Sequence, residues 1–211
     1  AEGPDEGLYA TDEPRLRGLV RSYCSPDVGR FDAVYREIRT ELYDRAPKVT
    51  PSEDPNLVPV ANGVLDYGTK ELLPFSPEIV LLAKSSTRFV ADARNPVIPR
   101  PDGSFWDVET WIASLSDDEG VPELLWEILG ALLRPGVGWN RAAFFYSERG
   151  NNGKGTLAEL ARALVGEGRH VSLPLDEMGR DFMLEPLTRA SAIITDENNV
   201  GVFIDRAANL K

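Results

Sequence analysis

Cysteine and histidine are almost missing from this chain of 211 residues, which holds only Cys24 and His170 of these two types. A single thiol excludes an internal disulfide, and its expected state is a buried thiol in a reducing cytoplasm. With neither residue repeated there is no His/Cys cluster to hold a zinc ion, and His170 reads as a satisfied structural histidine. Long apolar runs are also absent. No stretch approaches the ~20 residues that cross a bilayer, and the opening residues carry no signal-peptide pattern, so no membrane is expected among the partners. Positive charge is scarce as well: Lys and Arg number 23 against 34 Asp and Glu, a net charge of −11. A polyanion is normally held by clustered cations, so this chain is expected to bind DNA poorly by itself. The densest basic run, Arg15, Arg17 and Arg21 followed by Arg30, Arg36 and Arg39, is interrupted by acids and reads as the solvated face of two helices. No internal repeat is visible.

What is present is enough apolar content for a core. At 42% hydrophobic residues, the chain has room for one or two domains. The most informative stretch is Phe144–Thr156, FFYSERGNNGKGT. It reads as an apolar strand running into a Gly/Asn loop that ends in Lys-Gly-Thr at the start of a helix near Gly155. Gly150 and Gly153 let the backbone turn and bring its N–H groups to a phosphate, together with Asn151, Asn152 and Gly155 of the same loop. Lys154 supplies a cation for the outer phosphates, and the helix adds its positive end. The strict P-loop pattern is departed from twice: Glu148 stands in place of the first glycine and Gly155 in place of the hydroxyl residue. Thr156 is then the nearest hydroxyl for a magnesium ion. The plainer alternative is a turn with an incidental lysine.

Forty-two positions after Lys154, the run Ser191–Glu197, SAIITDE, reads as a buried parallel strand with two acids at its C-terminal end, where open α/β sheets bind ligands. Asp196 suits the magnesium side, through the ion's hydration shell, and Glu197 suits a base that polarises the water attacking the γ-phosphate. Alone, this Asp-Glu would be a solvated strand end. Joined to the loop, the pair points to Mg2+ and ATP. Between the two lies a further expected strand, His170–Leu175.

Three ordered segments resemble the superfamily 3-type primase-helicases of phages, plasmids and large DNA viruses, including the poxvirus-type NTPase module with its N-terminal domain. They are Asn62–Pro74, similar to the hairpin before the motor; Phe144–Leu157, similar to the phage version of the loop; and Ile193–Asn199, IITDENN, similar to the Asp-Glu-Asn strand end. The resemblance implies an AAA+-type, ring-forming, DNA-translocating ATPase, expected to be a homohexamer when full length. Single-stranded or forked DNA, a primase domain or a replisome protein would be its partners, in the cytoplasm of a bacterial host. It implies catalytic roles for Lys154 and Glu197, a cofactor-binding role for Lys154, and metal-side roles for Thr156 and Asp196. Asn198 and Asn199 match the pattern without an assigned role. The family's sensor asparagine, DNA-contacting hairpin and arginine finger would lie beyond Lys211. Arg206 reads as a surface arginine. The start AEGPDEG and the end RAANLK lead to the expectation of a truncated fragment, weakly active or inactive alone.

The expected fold class is an α+β N-terminal helical domain with a β-hairpin, followed by a partial α/β P-loop (AAA+-like) domain. Residues 1–13 are expected to be a mobile segment. Residues 14–135 form the helical domain and 136–211 the first part of the NTPase domain, with Pro135-Gly136 at the boundary. Within the first domain, helices are expected over Pro14–Tyr23, Phe31–Tyr43, Trp106–Leu115 and Val121–Leu133, the last approached through a Ser116-Asp117-Asp118 cap. Val58–Phe75 reads as strands turning at Asn62-Gly63 and Gly68-Thr69. Pro47–Pro59 reads as a linker and Asn95–Gly103 as a loop. Trp111, Leu124, Leu125, Ile128, Leu129 and Leu132 are expected in the core. Two other functions fit parts of the pattern: a P-loop small-molecule (nucleotide) kinase, and a replisome adaptor with a regulatory nucleotide site.

Overall fold

In the computed structural model, which describes residues 3, 5–9, 12–25, 29–147, 150–175, 177, 178, 187 and 190–196, the chain is a mixed α/β structure. It has a helical N-terminal region and small sheets.

Helix α1 (Glu13–Tyr23) starts where its sequence tells it to: the Asp12 side chain accepts the Arg15 N–H, a proline sits in the first turn, and Arg21 faces the negative C-terminal end. Helix α2 (Phe31–Arg45) lies against it, and Val20 and Tyr35 are the buried residues of the pair. Arginines tie the two together. Arg17 pairs with Asp32 and lies over the rings of Phe31 and Tyr35, Arg21 lies 4.5 Å from the Phe31 centroid, and Arg39 Nη1 is 3.0 Å from Glu13 Oε1. Much of the basic run is thus spent on helix–helix contact. Cys24, at the end of α1, is half-buried rather than buried, because it caps an exposed helix end.

Strands β1 (Leu57–Val60), β2 (Gly63–Asp66) and β3 (Leu72–Leu73) form an antiparallel meander with Val60 opposite Gly63 and Val64 opposite Leu73. The turn expected at Asn62-Gly63 falls a residue earlier, on Ala61 and Asn62, because Gly63 opens β2, while the one expected at Gly68-Thr69 is there. In the second, Asp66 Oδ1 accepts the N–H groups of Gly68 and Thr69, the Asx geometry that lets a short side chain replace a backbone turn. Val58, Val60 and Val64 are buried, and a methyl group on Gly63 would lie 2.4 Å from the Leu73 carbonyl oxygen, so this strand can approach its neighbour only with glycine there. The expected linker before Pro59 is shorter than its prolines suggest, since β1 begins at Leu57.

The expected loop Asn95–Gly103 contains a strand. β4 (Ile98–Pro99) pairs antiparallel with β5 (Phe105–Trp106), and Pro99 is tolerated in this exposed two-stranded ribbon because no further strand asks for its N–H. Trp106 is therefore extended, and α3 (Val108–Ala113) begins only after Asp107, whose carboxylate accepts the Thr110 N–H and hydroxyl and the Asn95 amide. Helix α4 (Gly120–Leu132) is entered through Asp118, which accepts the Gly120 N–H at 2.9 Å, while the N-cap residue itself is Glu119.

Helix α5 (Lys154–Val165) packs on α3 and α4. Ile112, Leu125, Leu129, Leu157 and Ala161 form one buried cluster, with Trp111, Leu115, Leu132 and Ile194 packed on it. Leu124 is the exception among the expected core residues. It is 52% exposed, on the side of α4 away from this cluster. The expected boundary at Pro135-Gly136 falls between α4 and α5, which share a core.

Strands β6 (His170–Val171) and β7 (Ala192–Ile193) pair in parallel. They are shorter than expected because Pro174 lacks an N–H and because Thr195 Oγ1 takes over the backbone partners of Leu173. Nor is β7 fully buried, since Ile193 is exposed. The apolar run Phe144–Ser147 is not a strand. Phe144, Phe145 and Tyr146 have no strand geometry and are exposed. No helix among the described residues is long and apolar enough to cross a membrane.

Candidate functional site

Gly153 sets the geometry of the loop. It is the N-cap of α5 with φ +83°, in the left-handed region, and Asn151 two residues earlier also has positive φ at 55°. Two such residues fold the chain back on itself and deliver it to the helix with Lys154 as the first helical residue. A glycine at the N-cap brings no side chain to the first-turn N–H groups. The Lys154 N–H lies 3.5 Å from Asn152 Oδ1, and the rest of the first turn of α5 carries the helix's positive dipole end. Lys154 is half-buried, and its ammonium donates to Asn152 Oδ1 at 3.0 Å, which tethers it over the loop. Thr156 is exposed in the first turn, and Gly150 and Gly155 leave open space beside the backbone. Gly150, Asn151, Asn152, Gly153, Lys154, Gly155 and Thr156 thus follow one another through a single turn into α5. The donors, the cation and the open backbone fit a phosphate chain.

The acid side is arranged differently. Asp196 follows β7 and is half exposed. Its Oδ2 accepts from Arg162 Nη2 at 2.7 Å, in the last turn of α5. Arg162 is eight residues after Lys154, about 12 Å along the helix axis. Asp196 and Lys154 therefore have separate partners at different levels of the same helix. The Arg162 guanidinium also donates to Glu159 Oε1 at 2.6 Å, and its side chain is only 16% exposed. The Asp196 hydrogen bond, followed by the one to Glu159, raises its pKa against the opposing effect of burial. Sequence reasoning gave Arg162 no part in the site. Its i,i+3 spacing from Glu159 was legible, but its contact with Asp196 depends on tertiary placement of β7. Glu197, Asn198, Asn199, Glu148 and Arg206 lie outside the described residues. Among the described residues, no group of three or more His, Cys, Asp or Glu side chains could hold a metal ion.

The N-terminal half carries the family signal. A family model described as D5 N terminal like matches residues 22–117, from the end of α1 through the meander to α3. The likeness to this family extends over those residues only. Such domains belong to primase-helicase proteins of DNA replication, which are enzymes. The match ends before α4 and does not include the loop at Gly150–Thr156. No curated protein matches the chain.

Proposed function

We propose that this chain is a piece of an ATP-dependent primase-helicase in which the D5-type domain precedes a nucleotide-binding motor. The observation that carries the reading is the D5-type match at residues 22–117, followed in the same chain by a loop that enters α5 through a left-handed Gly153 and Lys154. In this reading residues 14–135 precede the motor and residues 136–211 begin it. The loop N–H groups and the Lys154 ammonium bind the phosphates of ATP and orient the γ-phosphate. When magnesium is bound, Thr156 and, through water, Asp196 would hold it, and Glu197 would take the proton from the attacking water. The chemistry that the ion would supply there is neutralisation of charge on the phosphate oxygens. DNA is met by other parts of a homo-oligomeric ring, since a net charge of −11 disfavours a polyanion on this piece. The full-length parent protein is expected to hydrolyse ATP faster with single-stranded DNA present, and Lys154→Ala to abolish that turnover. Persistent turnover in the variant, or a phosphorylated nucleoside as product, overturns the assignment.

A further inference from the structure

The C-terminal end of α5 is closed by side chains from far upstream in the chain. The Gly166 N–H donates to the Arg162 carbonyl, and the next two carbonyls, of Ala163 and Leu164, accept hydroxyls. Ser86 Oγ is 3.3 Å from the Ala163 oxygen, while Ser85 and, at 3.4 Å, Thr87 share the Leu164 oxygen. Ser85 is the one polar residue buried among the described residues, and its oxygen also accepts the Thr87 N–H. The approach is close. Gly166 has φ +104°, and a methyl group built on it would lie 2.9 Å from Ser86 Oγ.

The same residues are bound to the meander on their other side. The Ser85 N–H donates to the Pro59 carbonyl and the Ala61 N–H to the Thr87 carbonyl, both at 2.9 Å. Asn62 then holds the Phe89 backbone twice, accepting its N–H and donating to its carbonyl oxygen. A continuous chain of hydrogen bonds thus runs from the end of β1 through residues 85–89 to the last carbonyls of α5.

We propose that residues 85–87 are a clamp through which the end of β1 and the end of α5 open together, as one cooperative unit. Removing the Ser85 hydroxyl leaves the Thr87 N–H without its acceptor and the Leu164 carbonyl with one long hydrogen bond, so the cost falls on both sides of the clamp. A shared opening equilibrium is reciprocal: what loosens one element loosens the other. Because α5 begins at Lys154, the clamp ties the meander to the helix that presents this lysine, whatever the loop binds.

The test is native-state amide hydrogen exchange on the full chain. In Ser85→Ala the Gly166 and Ala61 amides are expected to exchange about tenfold faster, both together, while the amides of α2 keep their wild-type rates. Asn62→Ala loosens the same residues from the meander side without touching α5. It is expected to speed both amides as well, and it carries the test if Ser85→Ala does not fold. A rise confined to one of the two amides would mean two independent local caps and overturns the clamp. No rise at either amide, or one matched throughout α2, overturns it too.

Discussion

Gly153 sits against Leu115: a methyl group built on the glycine would come within 2.5 Å of Leu115 Cδ2 and 3.7 Å of the Trp111 ring. The Gly150–Thr156 loop is therefore seated on residues at the end of α3, within the matched segment 22–117. Gly153→Ala meets two separate penalties. The left-handed backbone costs roughly 1–2 kcal/mol for a residue with a Cβ, and the clash adds to it. Leu115→Ala removes the second penalty and leaves the first. Chemical denaturation of the two single variants and the double variant should show favourable coupling between the sites. Strict additivity would mean that the loop does not rest on Leu115.

Asp107 predicts an acid-sensitive element at the start of α3. The Thr110 hydroxyl, then the Thr110 N–H and the Asn95 amide, hold its carboxyl below the usual carboxylate range. A pKa lowered by folding contributes stability above the unfolded value and loses it as pH falls through the folded one. The gap in thermal midpoint between wild type and Asp107→Ala should thus be full at neutral pH and close as pH drops below ~4. A gap that stays constant through that range would show that the carboxylate charge is not what caps the helix.

Ile112 is completely buried where α3, α4 and α5 meet. Replacing it by alanine should cost about 2–5 kcal/mol, and by valine about 0.5–1.5 kcal/mol. Because the cluster includes Leu157 and Ala161, the loss should register on both sides of Pro135-Gly136 at once. Tryptophan fluorescence and hydrogen exchange of the α5 amides, followed through guanidinium unfolding, are expected to shift together. Two separated transitions, with only the first moved by Ile112→Ala, would divide the structure at that dipeptide.

These contacts explain which parts of the molecule could be read from the sequence. The helices α1, α2 and α4 and the second hairpin turn follow from local signals, such as Asp12 and Pro14 before an apolar period and an Asp66 able to fold over Gly68-Thr69, while the first turn lies one residue before Asn62-Gly63. The helix after the loop begins one residue earlier than expected, because Gly153 itself makes the turn. Tertiary partners decide the rest. Phe144–Tyr146 has strand composition, but a strand exists only when an edge accepts its hydrogen bonds. Ile98–Pro99 has loop composition, yet Phe105–Trp106 supplies such an edge. The Gly150–Thr156 turn was legible because its residues are contiguous. The Arg162–Asp196 contact was not, since it joins positions 34 apart through the packing of β7 on α5.

Arg17 offers a test of what the N-terminal arginines do. Its guanidinium is paired with Asp32 and lies 5.0 Å from the Phe31 centroid and 5.2 Å from that of Tyr35. Lysine keeps the charge but loses the planar stack and the forked donor set. Arg17→Lys is therefore expected to be nearly as damaging as Arg17→Ala, each lowering stability by ~0.5–1 kcal/mol through the lost cation–π contact. High salt screens the Asp32 pair but leaves the stacking, so most of the difference should survive at high ionic strength. If Arg17→Lys matches wild type, or if the loss vanishes in salt, the arginine acts as a bare charge and the ring contacts contribute little.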